Sequence, residues 1–221
     1  KYFERGSSAL VGIFTEGNSA KKYYLSSEIF LRKYFNFYNQ TALDASVNQT
    51  YRFNPKFSVS HNLSYQPRFN GVGFATNLDG QSLFALRDVK TFENILFLKY
   101  NFTNKMGMTF RTRHYNSRVN NRQFYNLKSD GELALHHSLS ENYNRNVNFF
   151  NIDMVYTWQF APGSFLNFVW KDAAFAQDSI SDLTYGKNLR NTLNGDQNNN
   201  ISLKVIYFLD YLTMKNWIRK G

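Results

Sequence analysis

The stretch from Val147 to Trp170 limits the possible folds more than any other, because side-chain character alternates along it with a period of two, into a turn and out again. Phe150, Ile152, Met154, Tyr156, Trp158 and Phe160 take alternate positions, with Asn151, Asp153, Thr157 and Gln159 between them. Successive side chains of a strand point to opposite sides of its sheet, so this spacing makes one face apolar and the other polar. After Ala161, Pro162 and Gly163 the pattern resumes, with Leu166, Phe168 and Trp170 on the apolar side and Asn167 and Lys171 on the polar side. The two segments therefore read as an antiparallel hairpin. If residues 161–163 form a three-residue turn with Phe160 opposite Ser164, counting outward pairs Trp158 with Leu166, Tyr156 with Phe168, Met154 with Trp170 and Asp153 with Lys171. Strands of about ten residues whose apolar face ends in aromatics near a turn have the pattern of a membrane-spanning barrel, apolar toward lipid and polar toward the lumen. The expected fold class is all-β, an antiparallel transmembrane β-barrel.

Composition agrees with this expectation. Aromatic residues make up 18% of the 221, with 22 Phe and 15 Tyr, and no run of about 18 apolar residues encodes a membrane helix. A barrel spreads its apolar residues over alternate positions, which a mean hydropathy of -0.50 accommodates. There is no cysteine, hence neither a disulfide frame nor a thiolate metal site. The net charge of +10 would suggest nucleic acid on a compact domain, but the basic residues are scattered singly over polar strand positions and turns, so no nucleic-acid partner is expected. The chain starts at Lys1 without a signal peptide, although an outer-membrane protein must be exported. It is expected to be the latter part of something longer.

The same alternation recurs along the chain. Strands are predicted over Ser8–Thr15, Tyr23–Phe35, Thr41–Phe53, Phe57–Tyr65, Phe92–Phe102, Met106–Arg113, the two arms of the hairpin, and Ile201–Tyr211. Residues 66–89, 116–146 and 173–200 lack clear periodicity and read as long loops or strand extensions. Short turns near Asn18, at Asn54–Lys56, Thr103–Lys105 and Ala161–Gly163 alternate with longer connections, as periplasmic turns and extracellular loops do in such barrels. About nine strands result, an odd number where bacterial single-chain barrels are even, so residues 1–211 are expected to be part of a larger barrel and 212–221 a C-terminal tail. By this count the chain starts on the extracellular side, with at least one more strand before Lys1.

The segments KTFENILFLKYNFTNKMGMTFRTRHYNS, FNIDMVYTWQFAPGSFLNFVWKD and NNNISLKVIYFLDY together resemble the C-terminal barrel of a Bacteroidota outer-membrane family of unknown function. Its members carry a carbohydrate-binding-module family 9-like domain before the barrel. The words W-x-F-A-P-G-S and N-K-M-G-x-x-x-R-x-R-H-Y carry most of the likeness, which spans most of Lys1–Tyr211. The resemblance implies the outer membrane as location, lipid as partner, and a glycan contact only through the N-terminal domain. It implies no activity.

The candidate lumen-facing residues are Arg52, Lys99, Arg111, Arg113, Asp153, Lys171 and Lys204. The candidate lipid-facing girdle is Phe53, Phe57, Phe102, Tyr156, Trp158, Phe160, Phe168 and Trp170. The cations could line an anion-favouring pore. The favoured expectation is instead that they pair with Glu28, Asp44, Glu93, Asp153 and Asp210, because buried charges are normally paired. His136 and His137 are adjacent and would point to opposite sides of an extended chain; His61 and His114 are expected at the membrane interface, His114 near a strand end. Asp178, Asp182 and Asp196 lack calcium-loop spacing and read as solvated loop charges. No G-x-S-x-G, H-E-x-x-H or P-loop occurs, so no catalytic, cofactor-binding or metal-ligating residue is assigned. The expected function is a non-catalytic barrel anchoring an N-terminal domain or a membrane-protein complex at the outer membrane. The alternatives are a diffusion channel for small polar or anionic solutes and, ranked well below, a soluble sandwich binding glycan through exposed aromatics.

Overall fold

The computed structural model describes residues 6–35, 38–78, 80–136, 141–180 and 182–209. The elements are β1 (Ser7–Glu16), β2 (Tyr23–Phe35), β3 (Thr41–Asn54), β4 (Phe57–Leu78), β5 (Gln81–Thr103), β6 (Met106–Leu127), β7 (Leu133–His136), β8 (Arg145–Ala161), β9 (Ser164–Asp178), α1 (Tyr185–Leu193) and β10 (Gln197–Ile206). All ten strands form one antiparallel sheet in the order β1-β2-β3-β4-β5-β6-β8-β9-β10, with the short β7 paired to the end of β6. The nine strands of this path match the nine expected from the alternation. Among the described residues β1 and β10 each pair on one side only, so the sheet is open.

Local chemistry sets the short turns. Asn54 Oδ1 accepts from the amides of Lys56 (2.8 Å) and Phe57 (2.9 Å), Asn18 Oδ1 from Ala20 N (2.9 Å), and Thr103 Oγ1 from Lys105 N (3.1 Å). These side chains replace backbone partners that a tight turn cannot supply. In the fourth turn Gly163 has φ 70°, in the left-handed region that costs a side chain energy. That turn differs from expectation in one respect. Ala161, not Phe160, lies opposite Ser164, and the register shift between Gln159 and Ala161 leaves Phe160 as a bulge. The pairs further out, Trp158–Leu166, Tyr156–Phe168, Met154–Trp170 and Asp153–Lys171, are those counted from the sequence.

Of the stretches that read as long loops or strand extensions, most of 66–89 and the first part of 116–146 are extensions. β4 runs to Leu78, β5 starts at Gln81, and β6 continues to Leu127. Their periodicity is hidden because bulges reverse the in–out sense of the pattern, between Arg68 and Gly71, between Phe74 and Thr76, and between Leu86 and Arg87. Asn70, inside the first bulge, has φ 54°; its amide donates to Asp88 Oδ1 (2.9 Å), and Arg122 bridges both side chains. At the chain's end, β10 spans Gln197–Ile206 rather than Ile201–Tyr211. Tyr207–Leu209 are not in a strand, and Tyr211 and the tail 212–221 lie outside the described residues.

The sheet is staggered and curved. The row Tyr23–Tyr51–Val59–Leu98–Phe110–Met154–Trp170 starts at the first residue of β2 but crosses β8 well up the strand from its turn. Strands whose turns stay level while their pairing rows slant are tilted strands. At the far end Arg145 of β8 donates from Nη2 to the carbonyl of Ala75 on β4 (3.1 Å). β5 and β6 lie between these strands, and on a flat sheet the gap would be about 14 Å at ~4.8 Å per strand, beyond an arginine's reach. The sheet therefore curls there, toward the face that Arg145 shares with Asp153.

Few apolar side chains are buried: Ala42, Pro67, Ala75, Leu83, Ala85, Tyr125 and Ala174 among the described residues. Most large ones lie open on the sheet, Val11 at 68% and Ile201 at 67% exposure among them.

Candidate functional site

The pairing registers assign every candidate to a face. Arg52 lies opposite Ser58, Ser58 opposite Lys99, Lys99 opposite Thr109, Arg111 opposite Asp153, Asp153 opposite Lys171, and Lys204 opposite Asn167. Directly opposed residues share a face and alternate residues of one strand share it too, so all seven expected polar-face residues fall together.

Their pairing follows expectation only in part. Arg113 Nε meets Glu93 Oε1 at 2.5 Å, and Asp153 sits between Arg111 (3.9 Å) and Lys171 (4.0 Å). Asp44, however, pairs with Arg68 (2.5 Å), and Glu28 accepts from Ser46 Oγ (3.0 Å). Asp210 lies outside the described residues. Arg52 donates to the carbonyl of Lys21 (2.8 Å), and Lys99 and Lys204 have no ion-pair partner among the described residues. The sequence could not settle these pairs because an arginine reaches carboxylates on either neighbouring strand.

On the opposite face the aromatic candidates form a line of touching rings near the short turns. Ring centroids are 4.7 Å apart for Tyr51–Phe53, 4.8 Å for Phe53–Phe57, 5.8 Å for Phe57–Tyr100, 4.7 Å for Tyr100–Phe102 and 6.1 Å for Phe102–Tyr156. Trp158 and Phe160 continue to Tyr207. Phe168 joins the face opposite Tyr156; Trp170, opposite Met154, lies further from the turns and donates from Nε1 to Asn199 Oδ1 (2.9 Å).

Two polar features on this apolar side are not legible in the sequence. The first is a hydrogen-bonded chain across four strands, in which Tyr23 Oη donates to Gln49 Oε1 (3.2 Å), Gln49 Nε2 bonds His61 Nδ1 (3.1 Å) and His61 Nε2 bonds Asn94 Oδ1 (2.9 Å). The second is a buried amide cluster under α1. Asn116 Nδ2 donates to Asn146 Oδ1 (2.9 Å) and Asn148 Oδ1 (2.8 Å), and Asn146 Nδ2 to Asn188 Oδ1 of α1 (2.6 Å) and to Asp178 (3.2 Å). Asp178 is thus a strand residue holding the cluster, not a solvated loop charge. Thr184 caps α1, accepting from Lys187 N (3.4 Å), and Arg190 in the last turn complements the helix dipole. Tyr185 packs on Phe92 (4.7 Å) and His114 (5.0 Å). Burial raises the pKa of its phenol, and a hydrogen bond with Asn94 opposes this. His114 is therefore buried mid-strand under the helix, not placed near a strand end. His136 bonds Asn126 (3.2 Å), and His137 lies outside the described residues.

Among the described residues no helix is long and apolar enough to cross a membrane, and no group of three or more His, Asp or Glu could hold a metal ion. Fold and faces define a strand-dominated, antiparallel sheet protein with one charged polar face and one aromatic face that is open except where α1 packs on it. The chain belongs to the family described as a domain of unknown function, DUF5916, whose sequence model matches residues 1–218. No curated protein and no solved structure matches it.

Proposed function

We propose that this chain is a transmembrane β-barrel segment of an outer membrane, with its aromatic face toward lipid and its polar face toward a lumen. It anchors an N-terminal domain or a partner complex and is non-catalytic in this region. The observation that carries the reading is an apolar face that recurs on all nine strands of the sheet path and lies open outside the patch under α1; an exposed patch of that extent on a protein in water would drive association. The apolar runs Leu43–Phe53, Phe92–Phe102 and Phe150–Phe160 have the length that a tilted strand of about 9–11 residues needs to cross a bilayer. The stagger and the curl toward the polar face suit a barrel wall. The resemblance to the Bacteroidota outer-membrane family supplies the location and the carbohydrate-binding-module family 9-like domain upstream.

The short-turn end is then periplasmic. Cysteines at Asn104 and Asn120 should be modified by a membrane-impermeant reagent on intact cells only at the second, and equal labelling would refute the orientation. A second reading, a diffusion channel for small anionic solutes, is favoured by one observation: Lys99 and Lys204 on the polar face lack carboxylate partners among the described residues. Conductance in a planar bilayer separates the channel from the anchor.

A further inference from the structure

We propose that the polar face carries a binding site for a small hydroxylated anion, of the sugar-acid class, at its short-turn end. A cavity of about 450 Å³ opens there beneath two consecutive turns, lined by Lys56 of the β3–β4 turn, Lys105 of the β5–β6 turn, Asn101, Thr157, Gln159 and Phe165. Its size suits one or two sugar rings. Every charged residue lining it is a lysine, so the ligand it selects is negative.

The two cations are held by backbone rather than left on loose turns. The carbonyl of Lys56 accepts from Asn101 N (2.8 Å), and that of Lys105 from Gln159 N (2.8 Å), so each turn is tied to the next strand along. Lys56 Nζ donates to the carbonyl of Phe102 at 3.4 Å and keeps further protons to offer. The Lys105 ammonium and the side-chain amides of Asn101 and Gln159 have no partner among the described residues. The absence of a side chain at Gly107 keeps this room: a Cβ there would lie 3.1 Å from Asn101 Oδ1. Phe165 offers an apolar wall for a sugar ring beside donors that match hydroxyls and a carboxylate. The site is complete within hairpins that are already paired, and does not depend on the membrane reading.

The test is calorimetric titration of the full-length protein in detergent with sodium D-glucuronate, and with D-glucose as the neutral counterpart. Glucuronate should bind at least about tenfold more tightly, the scale of one or two charge-assisted hydrogen bonds, and should weaken as salt rises. The double variant Lys56→Gln, Lys105→Gln should lose that preference while the far-ultraviolet dichroism of the sheet is kept. Gly107→Ala, with both lysines intact, should weaken both ligands by crowding Asn101. Equal binding of the two sugars, or glucuronate binding unchanged in the double variant, overturns the proposal. So does a double variant whose only loss is binding to phosphatidylglycerol vesicles, since that would make the lysines headgroup contacts. Failure here leaves bilayer insertion intact, and failure to insert leaves this titration readable.

Discussion

Asp153 and Asn146 sit on the same strand, and a comparison of the two shows which polar contacts stabilise this sheet. Asp153 touches two cations, but its side chain is 36% exposed and both contacts lie near 4 Å, so water screens them. Asp153→Ala should cost no more than about 1 kcal/mol. Asn146 is fully buried and bonded to Asn116, Asn188 and Asp178. Its removal takes one hydrogen bond each from the buried amides of Asn116 and Asn188 and from the half-buried carboxylate of Asp178, and Asn146→Ala should cost about 1–3 kcal/mol. Thermal unfolding of the two variants in one detergent should place Asn146→Ala well below Asp153→Ala, and the reverse order would mean that the surface pairs dominate. Asn146 and Asn148 stand at a strand's spacing in the sequence, which puts them on one face but does not announce a cluster. Nothing local showed that a helix would bury them.

At the scale of elements, the β8–β9 hairpin shows why its register was legible. An error of one residue would turn Lys171 toward the aromatic face; on the proposed membrane reading, a lysine near a bilayer midplane costs about 2–4 kcal/mol, more than the 0.2–1 kcal/mol or so of its pairing with Asp153. Face assignment therefore overrules local pairs. Thr157 Oγ1 donates to Asn167 Oδ1 at 2.8 Å, which fixes their adjacency. In a chain with no native cysteine, Thr157→Cys with Asn167→Cys should cross-link on mild oxidation. Thr157→Cys with Phe168→Cys, whose side chains lie on opposite faces, should not, and cross-linking of that second pair alone would show a slipped register. The bulged extensions of β4, β5 and β6 escaped the same logic because each bulge resets the parity on which the reading depends. Helix α1 escaped because its buried side, Tyr185, Asn188 and Thr192, is polar enough to look like loop.

For the molecule as a whole, the two faces make a prediction that neighbouring residues can test. Leu63 lies opposite Val47 on the aromatic side, and Ser64 lies between Ser46 and Glu93 on the polar side. Leu63→Lys should reduce insertion into lipid vesicles by about 2–4 kcal/mol, read as a lower folded fraction in urea, while Ser64→Lys should be close to neutral. Equal effects would mean that the aromatic side does not face lipid. The two edges that are unpaired among the described residues carry a second prediction. β1 and β10 are exposed along their whole lengths, and an unpaired edge is a template for another strand. Residues 1–221 expressed alone should give no heat-modifiable, protease-resistant species in outer membranes or detergent, and should self-associate through these edges. Val11→Lys on β1 should lower that association in light scattering. A stable closed monomer would refute the edge argument.

The sequence by itself determined nine strands short of their bulged extensions, their two faces and the hairpin register outside its turn, because a period of two is a local property that each side chain reports independently. It also determined where the short turns fall, since Asn18, Asn54, Thr103 and Gly163 satisfy or relax the backbone on the spot. Only the tertiary structure decided which cation meets which carboxylate, that α1 covers His114 and the amide cluster, and that Lys56 and Lys105 share one cavity. Those contacts join residues distant along the chain, and they depend on the stagger and curvature of the sheet, which no single strand encodes.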